Sequence, residues 1–164
     1  MAATLAENTD DPHKVRSQIE SPWHAAYPDA RTVAASITRL ELLKWFREGK
    51  MPGRDFVLID LRRADHEGGT IRGSLNFPAQ SLYPTIPALH SLLTAAKVSA
   101  VVWYCGSSRG RGTRAAGWFA DYIAEQNNST LKSLVLEGGI KGWAAAGEEY
   151  TQLMDEYDES AWNT

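Results

Sequence analysis

The chain has 164 residues, 43% hydrophobic and 23% charged, with a formal net charge of −3. That is the make-up of one globular domain with a real core. So small a negative charge argues against a general nucleic-acid binder, which needs a strong basic surface. No apolar run approaches the ~18 residues of a membrane helix.

Residues 1–35 read as a polar N-terminal extension without a sustained period. Trp23 and Tyr27, beside Pro22 and Pro28, would either pin it to the body or leave it as a free tail. Its first residues have neither a basic start nor an apolar core, so no secretory signal is expected. The folded domain is expected over 36–147, and residues 148–164 form an acidic tail with six acids and no base.

Thr38-Arg39-Leu40-Glu41 is a capping box, with Ile37 and Leu42 placed as a hydrophobic staple, so a helix is predicted over 38–48. Phe56 to Leu61 is a short continuous apolar run, as in a strand buried on both faces. Gly68, Gly69 and Gly73 break the next stretch of chain. A helix is predicted over 85–96, a strand over 100–104, a helix from about 113 to 125 and a strand over 131–136. This alternation predicts a parallel α/β sheet with helices on both faces and a site at the carboxyl ends of the strands.

Cys105, the single cysteine, stands at such an end. One cysteine excludes an internal disulfide and suits the reducing cytoplasm or nucleus. The four histidines, His13, His24, His66 and His90, are scattered, so no zinc site and no bound metal are expected. Gly106, Ser107, Ser108, Arg109, Gly110 and Arg111 come directly after the thiol, before a helix begins. Loop and helix amides would cradle an oxyanion above the sulfur, and nearby positive charge would favour the thiolate. Glycines 106, 110 and 112 would give the backbone its freedom and close approach. Arg111, six residues after the thiol, would fork onto the oxyanion. Arg109 and Arg114 read as added local charge or as solvated surface.

These residues, with two further motifs, resemble the rhodanese superfamily. Ile59-Asp60-Leu61-Arg62 is similar to its strand-end Asp-x-Arg, and Leu136-Glu137-Gly138-Gly139-Ile140-Lys141-Gly142-Trp143 to its terminal Gly-Gly-x-x-x-Trp. The resemblance covers roughly 37 to 145. It implies a five-stranded, mainly parallel sheet with the active loop after the fourth family strand. Sulfurtransferases of that superfamily have a shorter loop, near Cys-x4-Arg; here it is Cys-x5-Arg. The longer loop, and the spacing from Asp60 to Gly73, resemble the cell-cycle dual-specificity phosphatases and the eukaryotic arsenate reductases. Two positions depart from that branch as a whole. Tyr104 stands where a histidine usually precedes the cysteine, which removes a neighbour that would tune the thiolate. Thr70 stands where another histidine precedes the isoleucine. In addition, Gly110 replaces the acid that the cell-cycle phosphatases carry before their arginine.

The resemblance implies a cysteine-dependent oxyanion enzyme. Its first form is an arsenate reductase with Cys105 as nucleophile. No second cysteine can resolve the intermediate, so an external thiol, glutathione with glutaredoxin, would supply electrons. A phosphatase working through a cysteinyl-phosphate is the second form. Sulfur transfer through a Cys105 persulfide, and a silent phosphoanion-binding module, are the others. A small oxyanion or a phosphorylated substrate is the expected partner, with no membrane and no nucleic acid. Asp60 reads as a structural carboxylate paired with Arg62, its role as general acid being secondary. His66 and Glu67 read as solvated loop residues with a secondary reading in proton transfer. Ser107 reads as a turn residue and Ser108 as an aid to the thiolate. Gly138, Gly139 and Trp143 read as turn and core. The acidic tail is complementary in charge to the loop and would gate it by lying across it.

Overall fold

A computed structural model describes residues 21–163. The expectations on the first twenty residues lie outside it. The strands are β1 (Ala35–Ile37), β2 (Val57–Asp60), β3 (Thr70–Ile71), β4 (Leu75–Asn76), β5 (Ala100–Tyr104), β6 (Lys132–Leu136) and β7 (Met154–Asp155). The main sheet has the spatial order β1-β6-β5-β2-β4, and every pairing in it is parallel. The parallel α/β arrangement is the one expected from the alternating pattern, and its five strands are the number the resemblance implied. The helices are α1 (Arg39–Arg47), the short α2 (Ala79–Leu82), α3 (Ile86–Ala96), α4 (Arg111–Glu125), and the short α5 (Gly139–Ala144) and α6 (Glu148–Thr151).

Period-two alternation divides the core into two layers. Val57, Ile59, Val101, Trp103 and Cys105 face α3 and α4, where they meet Leu89, Leu93, Ala116 and Phe119. Leu58, Val102 and Tyr104 face the other way, onto Leu42, Leu43, Ile140 and Trp143. Both sheet faces are thus covered, and every residue of β2 and β5 is buried, which explains the apolar stretches Val57–Ile59 and Ala100–Tyr104. The capping box is present: the Glu41 amide donates to Thr38 Oγ1 (3.1 Å), and the Glu41 carboxylate accepts from the Thr38 amide (2.8 Å).

The described parts of both flanking segments pack. The N-terminal stretch from Trp23 to Thr32 straps along α4. Trp118 Nε1 donates to the Pro28 carbonyl (2.8 Å), Tyr27 lies 4.9 Å from Tyr83, and the Asp121 carboxylate accepts from the amides of Arg31 and Thr32. Gly117 permits this approach, since a Cβ there would meet Ala30 Cβ at 2.7 Å. At the other end β7 pairs antiparallel with β3, and Trp162 Nε1 donates to the Gly68 carbonyl (2.9 Å). Glycines 68 and 69 therefore do more than interrupt the chain: a Cβ on either would collide with this tail. Among the described residues no helix is long and apolar enough to cross a membrane.

Candidate active site

Strand β5 ends at Tyr104, and α4 begins at Arg111, two residues earlier than its apolar stripe suggested. The link is therefore only six residues long, and Arg111 itself opens the helix. The Cys105 side chain is buried, and its sulfur accepts a hydrogen bond from the Gly112 amide (3.4 Å), one of the free amides of the first turn. The thiol thus sits at the positive end of a fifteen-residue helix.

Within the loop, Ser108 is the residue with left-handed backbone (φ 61°); Gly106, Gly110 and Gly112 do not have it. Gly110, at the cap of the following helix, has φ −111° and ψ −85°. A Cβ on Gly110 would meet nothing, whereas one on Gly112 would press against Ser108 Oγ at 3.1 Å. Ser108 Oγ accepts from the Cys105 amide at 3.4 Å, so the hydroxyl staples the loop backbone rather than reaching the sulfur. Ser107 Oγ takes a long hydrogen bond from the Arg109 amide (3.5 Å). Arg109 is exposed and does not line the cavity over Cys105.

From the far side, α5 grips the loop. The amides of Ile140 and Lys141 donate to the carbonyls of Cys105 and Gly106, both at 3.0 Å. Gly139 makes this contact feasible: its φ is +58°, and a Cβ there would lie 2.5 Å from both carbonyl oxygens. The Gly-Gly motif, read in the sequence as turn and core, is thus also the seat of the loop.

Arg111 is held by a residue the sequence left unassigned. Its Nη1 and Nη2 donate to the two carboxylate oxygens of Asp65 at 2.8 and 2.6 Å. This bidentate pair holds the Asp65 carboxyl well below the usual carboxylate range, chiefly through the hydrogen bond to Arg111. It also raises the Arg111 guanidinium, to which the Cys105 sulfur adds a smaller contribution. Asp65 is positioned by the buried Asp60–Arg62 pair. Arg62 Nη2 donates to Asp60 (2.8 Å) and to the Gly69 carbonyl (2.7 Å), and Nη1 to the Glu67 carbonyl (3.0 Å). Asp60 and Arg62 thus organise the 65–69 turn from beneath and do not line the cavity over the thiol. His66 Nε2 faces Asp60 at 3.4 Å, and Glu67 lines a neighbouring groove, so neither is placed for proton transfer at Cys105.

The cavity over the thiol measures about 570 Å³ and is lined by Cys105, Gly106, Arg111, Asp65 and Arg114 together with Trp23, His24, Gln80 and Lys141. Arg114 also pairs with Asp29 (3.2 Å). The last four lining residues lie 25 to 82 positions from Cys105 in sequence, and no local pattern placed them beside the thiol. Gln80 Oε1 is buried with no hydrogen-bond partner among the described residues. A groove of about 1220 Å³ adjoins this cavity, sharing Asp65, Gly106 and Lys141, with tail residues Tyr157, Glu159 and Trp162 in its far wall. No tail residue lines the thiol cavity itself, so the tail does not lie across the loop as its charge suggested. Among the described residues no three His, Cys, Asp or Glu side chains converge as a metal would require.

The family model for the rhodanese-like domain matches residues 38–146, the span that carries the sheet, the loop and α5. The chain belongs to the rhodanese-like domain family. This rhodanese-like chain is 28% identical over 130 residues to arsenate reductase 2.1 of Oryza sativa subsp. japonica, covering 77% of this chain and 79% of that one. It is 28% identical over 97 residues to arsenical-resistance protein 2 of Saccharomyces cerevisiae, covering 55% and 75%. Its fold is similar to that of a yeast protein tyrosine phosphatase of the rhodanese family, with a TM-score of 0.68 at 22% identity, covering 80% and 99%. It is also similar in fold to the As-Sb reductase of Leishmania major, with a TM-score of 0.64 at 23% identity, covering 74% and 84%.

Proposed function

We propose that this protein is a cysteine-dependent enzyme acting on tetrahedral oxyanions, that its reaction is the reduction of arsenate, and that Cys105 is the nucleophile. The observation that carries the reading is the seat of the sulfur: it takes the Gly112 amide at the start of a fifteen-residue helix, with the Arg111 guanidinium in the same cavity. A helix start stabilises a thiolate and an anion alike. The unpartnered Gln80 Oε1 suits the protonated oxygen of a hydrogen arsenate. The names of two relatives, an arsenate reductase and an arsenical-resistance protein, favour arsenic over other centres.

In this reading the Cys105 sulfur attacks arsenic, forming an S–As bond while one arsenate oxygen leaves as water. The sequence holds no other cysteine, so the next thiol is external. Glutathione thiolate attacks Cys105 Sγ, and the S–As electron pair stays on arsenic. As(V) becomes As(III), arsenite departs, and Cys105 is left in a mixed disulfide with glutathione. A glutaredoxin thiol removes the glutathione and restores Cys105. The test is arsenate-dependent oxidation of glutathione, with glutaredoxin present, by wild type and by Cys105→Ser. Turnover by the wild type and none by the variant is expected; no arsenate-dependent turnover by the wild type overturns the reading.

A phosphatase reaction is the second reading, and one observation favours it. The thiol cavity adjoins a groove of about 1220 Å³ and shares Asp65, Gly106 and Lys141 with it, far more room than a bare inorganic anion needs. A phosphate ester would place its phosphoryl group over Cys105 and its body in that groove. Hydrolysis of an aryl phosphate through a trapped cysteinyl-phosphate would support it.

A further inference from the structure

We infer that Lys141 is an oxyanion-binding cation beside Arg111, and that its ammonium, rather than Arg111 alone, binds the charge of a tetrahedral dianion. The inference rests on the reading of Cys105 as an oxyanion nucleophile.

Three observations converge on this residue. The first is its anchorage: the Lys141 amide donates to the Gly106 carbonyl (3.0 Å), so its backbone is tied to the loop. The second is where its side chain goes. A Cβ built on Gly106 would lie 3.5 Å from Lys141 Cε, 3.9 Å from Lys141 Nζ and 3.9 Å from Arg111 Nη2. Ammonium and guanidinium therefore flank one point above the residue next to the thiol, and both line its cavity. The third is charge. Both terminal nitrogens of Arg111 are engaged by the Asp65 carboxylate, which offsets much of the guanidinium charge felt by an arriving anion. Lys141 has no carboxylate of a described residue within ion-pairing distance.

A tetrahedral dianion carries two charges, and loop amides contribute only partial ones. Arg111 is geometrically fixed by its fork on Asp65. Lys141 supplies a mobile point charge on a flexible stem, which can follow an oxygen of either arsenic or phosphorus. Its place in the wall shared by cavity and groove puts it beside any oxyanion seated over Cys105.

The experiment is protection of Cys105 from iodoacetamide at neutral pH by inorganic arsenate and by inorganic phosphate. It compares wild type, Lys141→Met and Lys141→Arg, with melting curves to show that all three fold. Both anions should protect the wild type. Protection of Lys141→Met should need about tenfold more anion, as loss of a hydrogen bond to a charged group implies, and Lys141→Arg should stay within about threefold of wild type. Equal protection of wild type and Lys141→Met overturns the inference while leaving the reading of the pocket in place. No protection of the wild type by either anion overturns that reading, and the inference with it.

Discussion

The hydroxyls of Tyr104 and Thr70 lie 2.7 Å apart, so the two residues that stand in place of the branch's histidines touch each other. Thr70 Oγ1 donates to Asp60 Oδ2 (2.8 Å), which leaves Tyr104 to donate to Thr70. Tyr104 in turn accepts from the Ile71 amide (3.2 Å) and meets the Ser74 hydroxyl at 2.6 Å. The chain of hydrogen bonds ends on the carboxylate that pairs with Arg62. The Tyr104 ring belongs to the sheet face opposite Cys105, so it does not neighbour the sulfur. Tyr104, read in the sequence as leaving the thiolate without a tuning neighbour, bears instead on the turn that carries Asp65.

Tyr104→Phe would leave the Ile71 amide and two hydroxyls short of a partner in a buried layer. It should destabilise the fold by about 1–3 kcal/mol and leave the alkylation rate of Cys105 within about twofold. Urea denaturation and iodoacetamide kinetics measure the two effects. Burial and the Asp60 carboxylate raise the Tyr104 phenol above its ordinary value. Between the unfolded and folded values the unfolded chain holds fewer protons, so wild-type stability should fall as pH rises above about 10. Tyr104→Phe should lose that part of the alkaline dependence.

Asp65→Asn should bind phosphate more tightly than wild type at pH 7, by about threefold or more, because Arg111 is freed to face the anion. The depressed Asp65 carboxyl stabilises the fold above its unfolded value near 4 and loses that contribution as pH falls. With the Asp65 side chain 51% exposed, the contribution is under about 1 kcal/mol. The variant should therefore show a shallower loss of stability below about pH 4, and a phosphate titration of Cys105 protection checks its binding.

Gly139→Ala should abolish turnover. The added methyl would overlap the carbonyl oxygens of Cys105 and Gly106 at a backbone angle that L-residues rarely adopt, so the loop must shift off α5. A thermal melt should show destabilisation of about 1–3 kcal/mol. Unchanged kinetics would show that the loop does not depend on this seat.

Truncation after Gly147 should act on stability, not on access to the thiol. It removes the buried Tyr150 and Met154, the acceptor of Trp143 Nε1 (2.8 Å) and the β7 pairing of the 70–71 strand. A loss of about 3 kcal/mol or more is expected, as for deletion of a buried aromatic residue alone. Denaturant melts measure it. Tyr150→Ala should reproduce much of the loss while the tail remains.

What was legible in the sequence was local. The capping box at Thr38, the continuous apolar runs of β2 and β5 and the thiol before a glycine-rich loop are patterns read over fewer than ten residues. Each is dictated by chemistry within that window: a reciprocal hydrogen bond, a strand covered on both faces, an apolar run that stops at a nucleophile. Together they determined the alternating α/β order and the place of the site. What only the tertiary structure decided is everything that crosses the chain. Asp65 reaches Arg111 over 46 positions, Lys141 comes to Gly106 because α5 docks on the loop carbonyls, and Trp23 and His24 arrive on a strap along α4. Those contacts depend on how layers pack, and no periodicity records which surface a segment meets after the sheet has closed over its core.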